Sequence, residues 1–175
     1  MPAFTGRIKS GFENVRYVKT GGTVDYAEPV DASSPIFIRD VTPGTAANQA
    51  NYFFKSEQTI ASGGTYTLDL SGSSNTDIFG TNLTMTSVVS IMVICRAVDD
   101  AAAENTTNVT MTTTLVGILG GTSPTVIMKP GEMFQRANTN AGGLCAVTAT
   151  TADTITLTNA AGASAKVQIC VIGRG

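Results

Sequence analysis

Histidine is absent from all 175 residues. Its absence removes the imidazole base, the Ser-His-Asp triad and the usual zinc site, so the commonest hydrolase designs are excluded. Tryptophan is absent too, and aromatic residues make up 6% of the chain, which leaves no obvious platform for stacking sugars. Charged residues amount to 14% against a typical ~25%, and Thr, Ser, Asn and Gly supply the polar complement. A surface of hydroxyls and amides suits a protein whose faces are covered by neighbours in an assembly; the alternative is a neutral-surfaced monomer. The longest apolar stretch, Ile91 to Cys95, is far too short to cross a bilayer. The opening MPAFTGRIKSGFENVRY has no apolar run of signal-peptide length. The expectation is therefore no membrane partner and a chain made and kept in a cytosol.

Charge of one sign is also lacking. Eleven basic and thirteen acidic residues leave a net charge of −2, and the basic residues do not cluster, so the footprint demanded by a phosphate backbone is missing. Nucleic acid is not an expected partner. Residues 1 to 55 hold six of the basic residues (Arg7, Lys9, Arg16, Lys19, Arg39 and Lys55) against five acidic ones, a mild bias that suits contact with an acidic protein surface. The three cysteines, Cys95, Cys145 and Cys170, sit in apolar surroundings without metal-ligand spacing, which reads as reduced, buried thiols acting as small core residues. Asn82, Asn105 and Asn108 each begin a glycosylation triplet, a match that a Thr-rich chain produces by chance.

What the sequence does contain is strand pattern. Residues 1–50 carry glycines at 6, 11, 21, 22 and 44 and prolines at 2, 29, 35 and 43, with two candidate strands at 14–20 and 35–40. They read as an extended N-terminal arm that buries little against itself and needs the main domain or a neighbouring subunit to order it. From Asn51 to Ile172 one short alternating segment follows another. NYFFKSEQTI, a Ser62-Gly63-Gly64 turn and TYTLDL together suggest a hairpin, with Tyr66, Leu68 and Leu70 on one face. LTMTSVVSIMVICRA reads as a buried central strand, or two strands joined by a bulge near Ser87. The residues around Asp77 to Phe79 and around Asp99 to Asn105 could each form a helical turn. Lys129-Pro130-Gly131-Glu132 has the order that a type II turn favours. Eight to ten such strands over 51–175 predict an all-β domain, a jelly-roll-like β-sandwich.

The available acids, Asp69, Asp77, Asp99, Asp100, Glu104, Glu132 and Asp153, fit solvated loops better than a two-carboxylate site, and neither Asn75-Thr76-Asp77 nor Asp99-Asp100 has the spacing of a calcium loop. The Gly-Gly pairs at 21, 63, 120 and 142 lead into no Gly-Lys-Ser/Thr helix start. No enzyme activity, cofactor, metal or small-molecule substrate is expected. The residues that best fit a protein interface are Arg7, Lys9, Arg16, Tyr17 and Lys19 on the arm, with Tyr52, Phe53 and Phe54, the densest aromatic group, whose expected role is hydrophobic packing at the junction of the arm and the sandwich.

One resemblance adds to this. The ordered pieces TIASGGTYTLDLSG, DIFG, a strand ending in VSIMVICRA, IMKPGEMF and ADTITLTNAAGASAKVQICVIG make Ser56 to Gly173 similar to a widespread group of small structural proteins of tailed bacteriophages. The resemblance implies a virion component with a β-sandwich or jelly-roll fold, assembled in the host cytoplasm. Its implied role is capsid decoration or cement, with the major capsid protein and copies of itself, as a homotrimer, for partners. A tail, baseplate or fibre component and a carbohydrate-binding surface module are the alternatives. Residues 1–50 lie outside the resemblance.

Overall fold

Strand alternation, apolar inward and polar outward, builds this molecule. A computed structural model describes residues 6–10, 16–18, 27–29, 37–72, 74–96, 104–120 and 124–175, and no helix occurs among the described residues. In chain order the strands are β1 (Gly6–Ser10), β2 (Arg16–Val18), β3 (Ala27–Pro29), β4 (Phe37–Pro43), β5 (Gln49–Ala50), β6 (Tyr52–Ile60), β7 (Thr65–Asp69), β8 (Ser87–Ile94), β9 (Val109–Thr113), β10 (Thr125–Met128), β11 (Met133–Ala137), β12 (Cys145–Ala146), β13 (Thr154–Asn159) and β14 (Ala165–Arg174).

Two antiparallel sheets dominate. One has the order β11-β8-β14-β6, with β12 against the start of β8; the other has the order β10-β9-β13-β7. Their inner faces share one apolar cluster. Phe54, Ile91, Val93, Val167, Ile169 and Val171 come from the first sheet, and Leu68, Val109, Met111, Ile155 and Leu157 from the second. The fold is all-β and sandwich-like. Most connections change sheet: β6 to β7, β7 to β8, β8 to β9, β10 to β11, β12 to β13 and β13 to β14 all cross, while β9 to β10 stays within one sheet.

This crossing corrects the expected hairpin. β6 and β7 do not pair with each other; the Ser62-Gly63-Gly64 turn carries the chain from one sheet to the other, so Ile60 and Leu68 meet the core from opposite sides. Gly63 adopts φ +66° there, the left-handed region that glycine enters without a Cβ penalty. The Pro-Gly turn forms as its sequence requires, with Gly131 at φ +80° and Glu132 N donating to Lys129 O at 3.0 Å. It too links strands of different sheets. At Asp77 the chain makes a turn, not a helix, because the Asp77 carboxylate accepts from the amides of Phe79 and Thr81. The Asp99–Asn105 expectation falls largely outside the described residues.

A bulge in β8 sets up the third layer. Ile172 of β14 lies opposite Ser90, but the next residue, Gly173, lies opposite Val88, so Val89 is the extra residue on β8. Without it, alternation would turn Val89 the same way as Ile91 and Val93. With it, Val88, Ile91 and Val93 face the main core while Val89 faces outward. Outside, Val89 packs with Ile8 of β1, Val41 of β4 and Ala50 of β5, with Ala137 and Ile172 alongside. β1 pairs antiparallel with β4, and β4 pairs parallel with β5. This small sheet lies on the outer face of the five-stranded one.

Candidate interaction surfaces

The acids of the sandwich hold turns. One Asp69 oxygen accepts from the amides of Ser71 and Gly72, Asp153 accepts from Ser71 Oγ and the Thr150 amide, and Glu132 accepts from the Lys129 amide. Each carboxylate thus closes a local backbone turn. Among the described residues no group of three or more His, Cys, Asp or Glu side chains comes together. Cys95 and Cys145 are buried and Cys170 is half-buried, all three free. Burial raises the pKa of each, Cys145 to about 11, so at neutral pH they are thiols and not thiolate nucleophiles.

The residues expected at an interface separate into three groups. Arg7 is exposed and donates to Asp40 at 2.6 Å across the β1–β4 pair, which lowers the Asp40 pKa. Lys9 is also exposed, and its carbonyl accepts from Gln135 Nε2 at 3.2 Å, tying β1 to β11. Arg16 and Tyr17 belong to β2, which pairs with β3; their side chains and all of Lys19 lie outside the described residues. Tyr52 and Phe54 are core residues and not surface ones, since alternation in β6 turns both inward to 3% and 6% exposure. The Tyr52 hydroxyl is satisfied by Thr84 Oγ1 at 2.6 Å. Phe53, on the opposite face of β6, is half-buried.

A residue that sequence reading missed anchors the covered face. Arg174 is buried, at 2% exposure, and its guanidinium donates to four backbone carbonyls: Gln49 at 2.7 Å, Asn140 at 3.0 Å, Ala141 at 2.8 Å and Thr139 at 3.1 Å. Desolvation lowers its pKa. The planar five-donor fork suits this task, because one side chain can reach several carbonyls at once. It fastens β5 and the 139–141 loop to the last strand.

The opposite outer face, on the four-stranded sheet, is a lattice of threonines. Strand pairing aligns Thr125, Thr112, Thr156 and Thr67 in one row across all four strands, and Ile127, Thr110, Thr158 and Thr65 in the next. A third row contains Thr114, Thr154 and Asp69. Neighbouring hydroxyls meet at 3.3 Å (Thr65–Thr158 and Thr67–Thr156) and at 3.0 Å (Thr114–Thr154). Asp69 is the one charged residue in these rows. The signal was present in the sequence as TYT, TMTTT and TITLT: every second residue is Thr, and the residues between include Leu68, Met111, Ile155 and Leu157 of the core.

Large apolar side chains are exposed at a few places: Val116 at 72%, Ile127 at 63%, Met133 at 56%, Ile78 at 49% and Phe79 at 44%. Ile127 lies on β10, an outer strand of the threonine sheet, and Met133 on β11, an outer strand of the other. Comparison with protein families, with curated proteins and with solved structures returns no match to this chain.

Proposed function

We propose that the chain is a non-enzymatic structural protein of a virus particle, a decoration or cement protein bound to the capsid of a tailed bacteriophage. The observation that carries this reading is the strand order. Eight strands, in the orders β6-β14-β8-β11 and β7-β13-β9-β10, alternate between two sheets in the manner of a jelly roll, an architecture used by viral capsid and lectin domains. The resemblance of Ser56–Gly173 to phage structural proteins selects the capsid branch.

Residues 1–50 are the arm in this reading, and the part of it described as β1, β4 and β5 docks on the sandwich through Ile8, Val41 and Ala50. The major capsid protein and copies of the chain itself, arranged as a trimer, are the proposed partners. Low charge and a threonine-covered face agree with a subunit whose surfaces are tiled against others.

Copy number in purified virions, measured by quantitative mass spectrometry against the major capsid protein, tests the proposal. A ratio near one, or a simple fraction such as a half or a third, is the expected result. A few to a few dozen copies would move the chain to the tail, baseplate or fibre. Its absence from particles would overturn the virion reading, and glycan binding would then be the next property to measure, since lectins share the architecture.

A further inference from the structure

Each of the two main sheets has two outer strands, and three of these four carry charge. β6 exposes Lys55 and Glu57, β7 ends on Asp69, and β11 contains Arg136. Charged side chains of this kind discourage a sheet edge from pairing with another chain. β10, with the sequence TVIM, has none, and it exposes Ile127.

The hydrogen-bond phase identifies the backbone groups that β10 leaves open. Ala160 N donates to Asn108 O and Thr114 N to Thr154 O, so the even-numbered residues of β9 point their backbone groups at β13. The odd-numbered ones, Val109 and Met111, point theirs at β10, where they face Met128 and Val126. It follows from the alternation of an antiparallel ladder that the N–H and C=O of Thr125 and Ile127 point away from the sheet. Among the described residues no hydrogen bond reaches them. An open row of two donors and two acceptors is the template for one more strand, which fixes the chemistry of the occupant.

We infer that β10 pairs antiparallel with β10 of a second copy of this chain, across a two-fold axis through Val126. Residues facing each other across a ladder must lie on the same side of the pleat, so the axis passes through a residue and not between two. An axis through Val126 sets Thr125 opposite Ile127 of the second copy and the reverse, giving four hydrogen bonds that close all eight open groups. An axis through Ile127 would close only the mutual Ile127 pair. It would also set Thr125 against Lys129, whose N–H already donates to the Glu132 carboxylate and whose C=O already accepts from the Glu132 amide.

Self-pairing is unopposed because neither copy of the strand brings charge. The open row ends at Lys129, whose N–H and C=O are both engaged by Glu132. The two four-stranded sheets become one eight-stranded sheet, and Ile127 gains cover from Thr125 of the second copy. With four residues a side, the contact is far below the ~20–30 residues a side of a standard interface, so the pair is weak in dilute solution and strengthens where copies are held close together.

The inference does not depend on the virion reading and is tested on the full purified chain. Val126→Cys places two thiols directly across the axis, at a non-hydrogen-bonded pair whose spacing suits a disulfide. Under mild oxidation it should cross-link to dimer at least about tenfold faster than Met133→Cys, an exposed control on the other sheet, because pairing raises the effective thiol concentration. Adding Ile127→Lys should remove that advantage. Equal rates for the two single variants would overturn the proposal. In the unmodified chain, hydrogen exchange at the Thr125 and Ile127 amides should slow as protein concentration rises. Exchange at these two amides that is independent of concentration would overturn it as well, whether or not the cysteine variant folds.

Discussion

The two outer faces of this sandwich differ in what the pleat turns outward. On the five-stranded sheet Val89, Ala137 and Ile172 face out, and β1, β4 and β5 lie over them. On the four-stranded sheet the outward positions are mostly threonines, with Ile127 and Asp69 among them, and three pairs of hydroxyls meet one another across the strands. Apolar outward residues favour cover because leaving them in water forfeits about 25 cal/mol per Å². A hydroxyl face carries no such demand. The faces also differ in how they are fastened: Arg174 ties β5 and the 139–141 loop to β14 on the covered side, whereas Asn159 of β13 ties the threonine sheet to the carbonyls of Ile60 and Ala61.

The largest way to break this contrast is to remove Arg174. Arg174→Ala removes four hydrogen bonds from one charged group to the backbone of β5 and the 139–141 loop, and stability should fall by about 3–5 kcal/mol, read as a lower denaturant midpoint. Arg174→Lys should recover only part of that, because an ammonium group cannot span the four acceptors.

Next in size is a pH effect on the core that both faces share. Cys145 has its pKa raised from 9.0 to about 11 by burial. Its neutral thiol therefore favours the folded state at all pH values below 9.0, and that contribution is lost as the pH rises from 9.0 through about 11. At about 1.4 kcal/mol per pH unit the full loss is on the order of 3 kcal/mol. Melting temperatures across this range should decline less steeply in Cys145→Ala than in the unaltered chain.

Val89→Asn tests the covered face alone. It sets an amide against Ile8 and Val41, at a cost of about 1–3 kcal/mol, and amide protection in β1 and β4 should drop while that in β13 stays unchanged. The smallest effect belongs to the threonine face. Thr156→Val removes one hydroxyl contact with Thr67 but keeps the β-branched shape, so stability should stay within about 0.5 kcal/mol. A larger loss would mean that the hydroxyl network itself holds the sheet.

Much of this was legible in the chain. Alternation in TYTLD and TITLTN placed Leu68, Ile155 and Leu157 inside, and Pro130-Gly131 fixed a type II turn; LTMTSVVSIMVICRA read as one buried strand or as two joined by a bulge near Ser87, and one strand forms, with its bulge at Val89. These are local properties: a side chain's direction follows from its neighbours two residues away, and a turn's φ angles follow from the residues in it. The hairpin expected of β6 and β7 failed because a Gly-Gly turn constrains the chain reversal without specifying which strand lies alongside. Tyr52 and Phe54, read as packing where the arm meets the sandwich and as candidates for an interface, lie in the core of the sandwich itself because the parity of β6 turns both inward.

Composition and alternation by themselves determined that this chain is all-β, low in charge and without the histidine that common catalytic designs use. Only the tertiary structure decided that the TxT segments of three separated strands join one face and that Arg174 has four carbonyls within reach. It alone decided, too, that Val89 looks out to the N-terminal strands and that β10 ends a sheet. All four depend on strand pairing between residues far apart in the chain, and pairing is settled by packing of the whole core, which no local stretch of sequence contains.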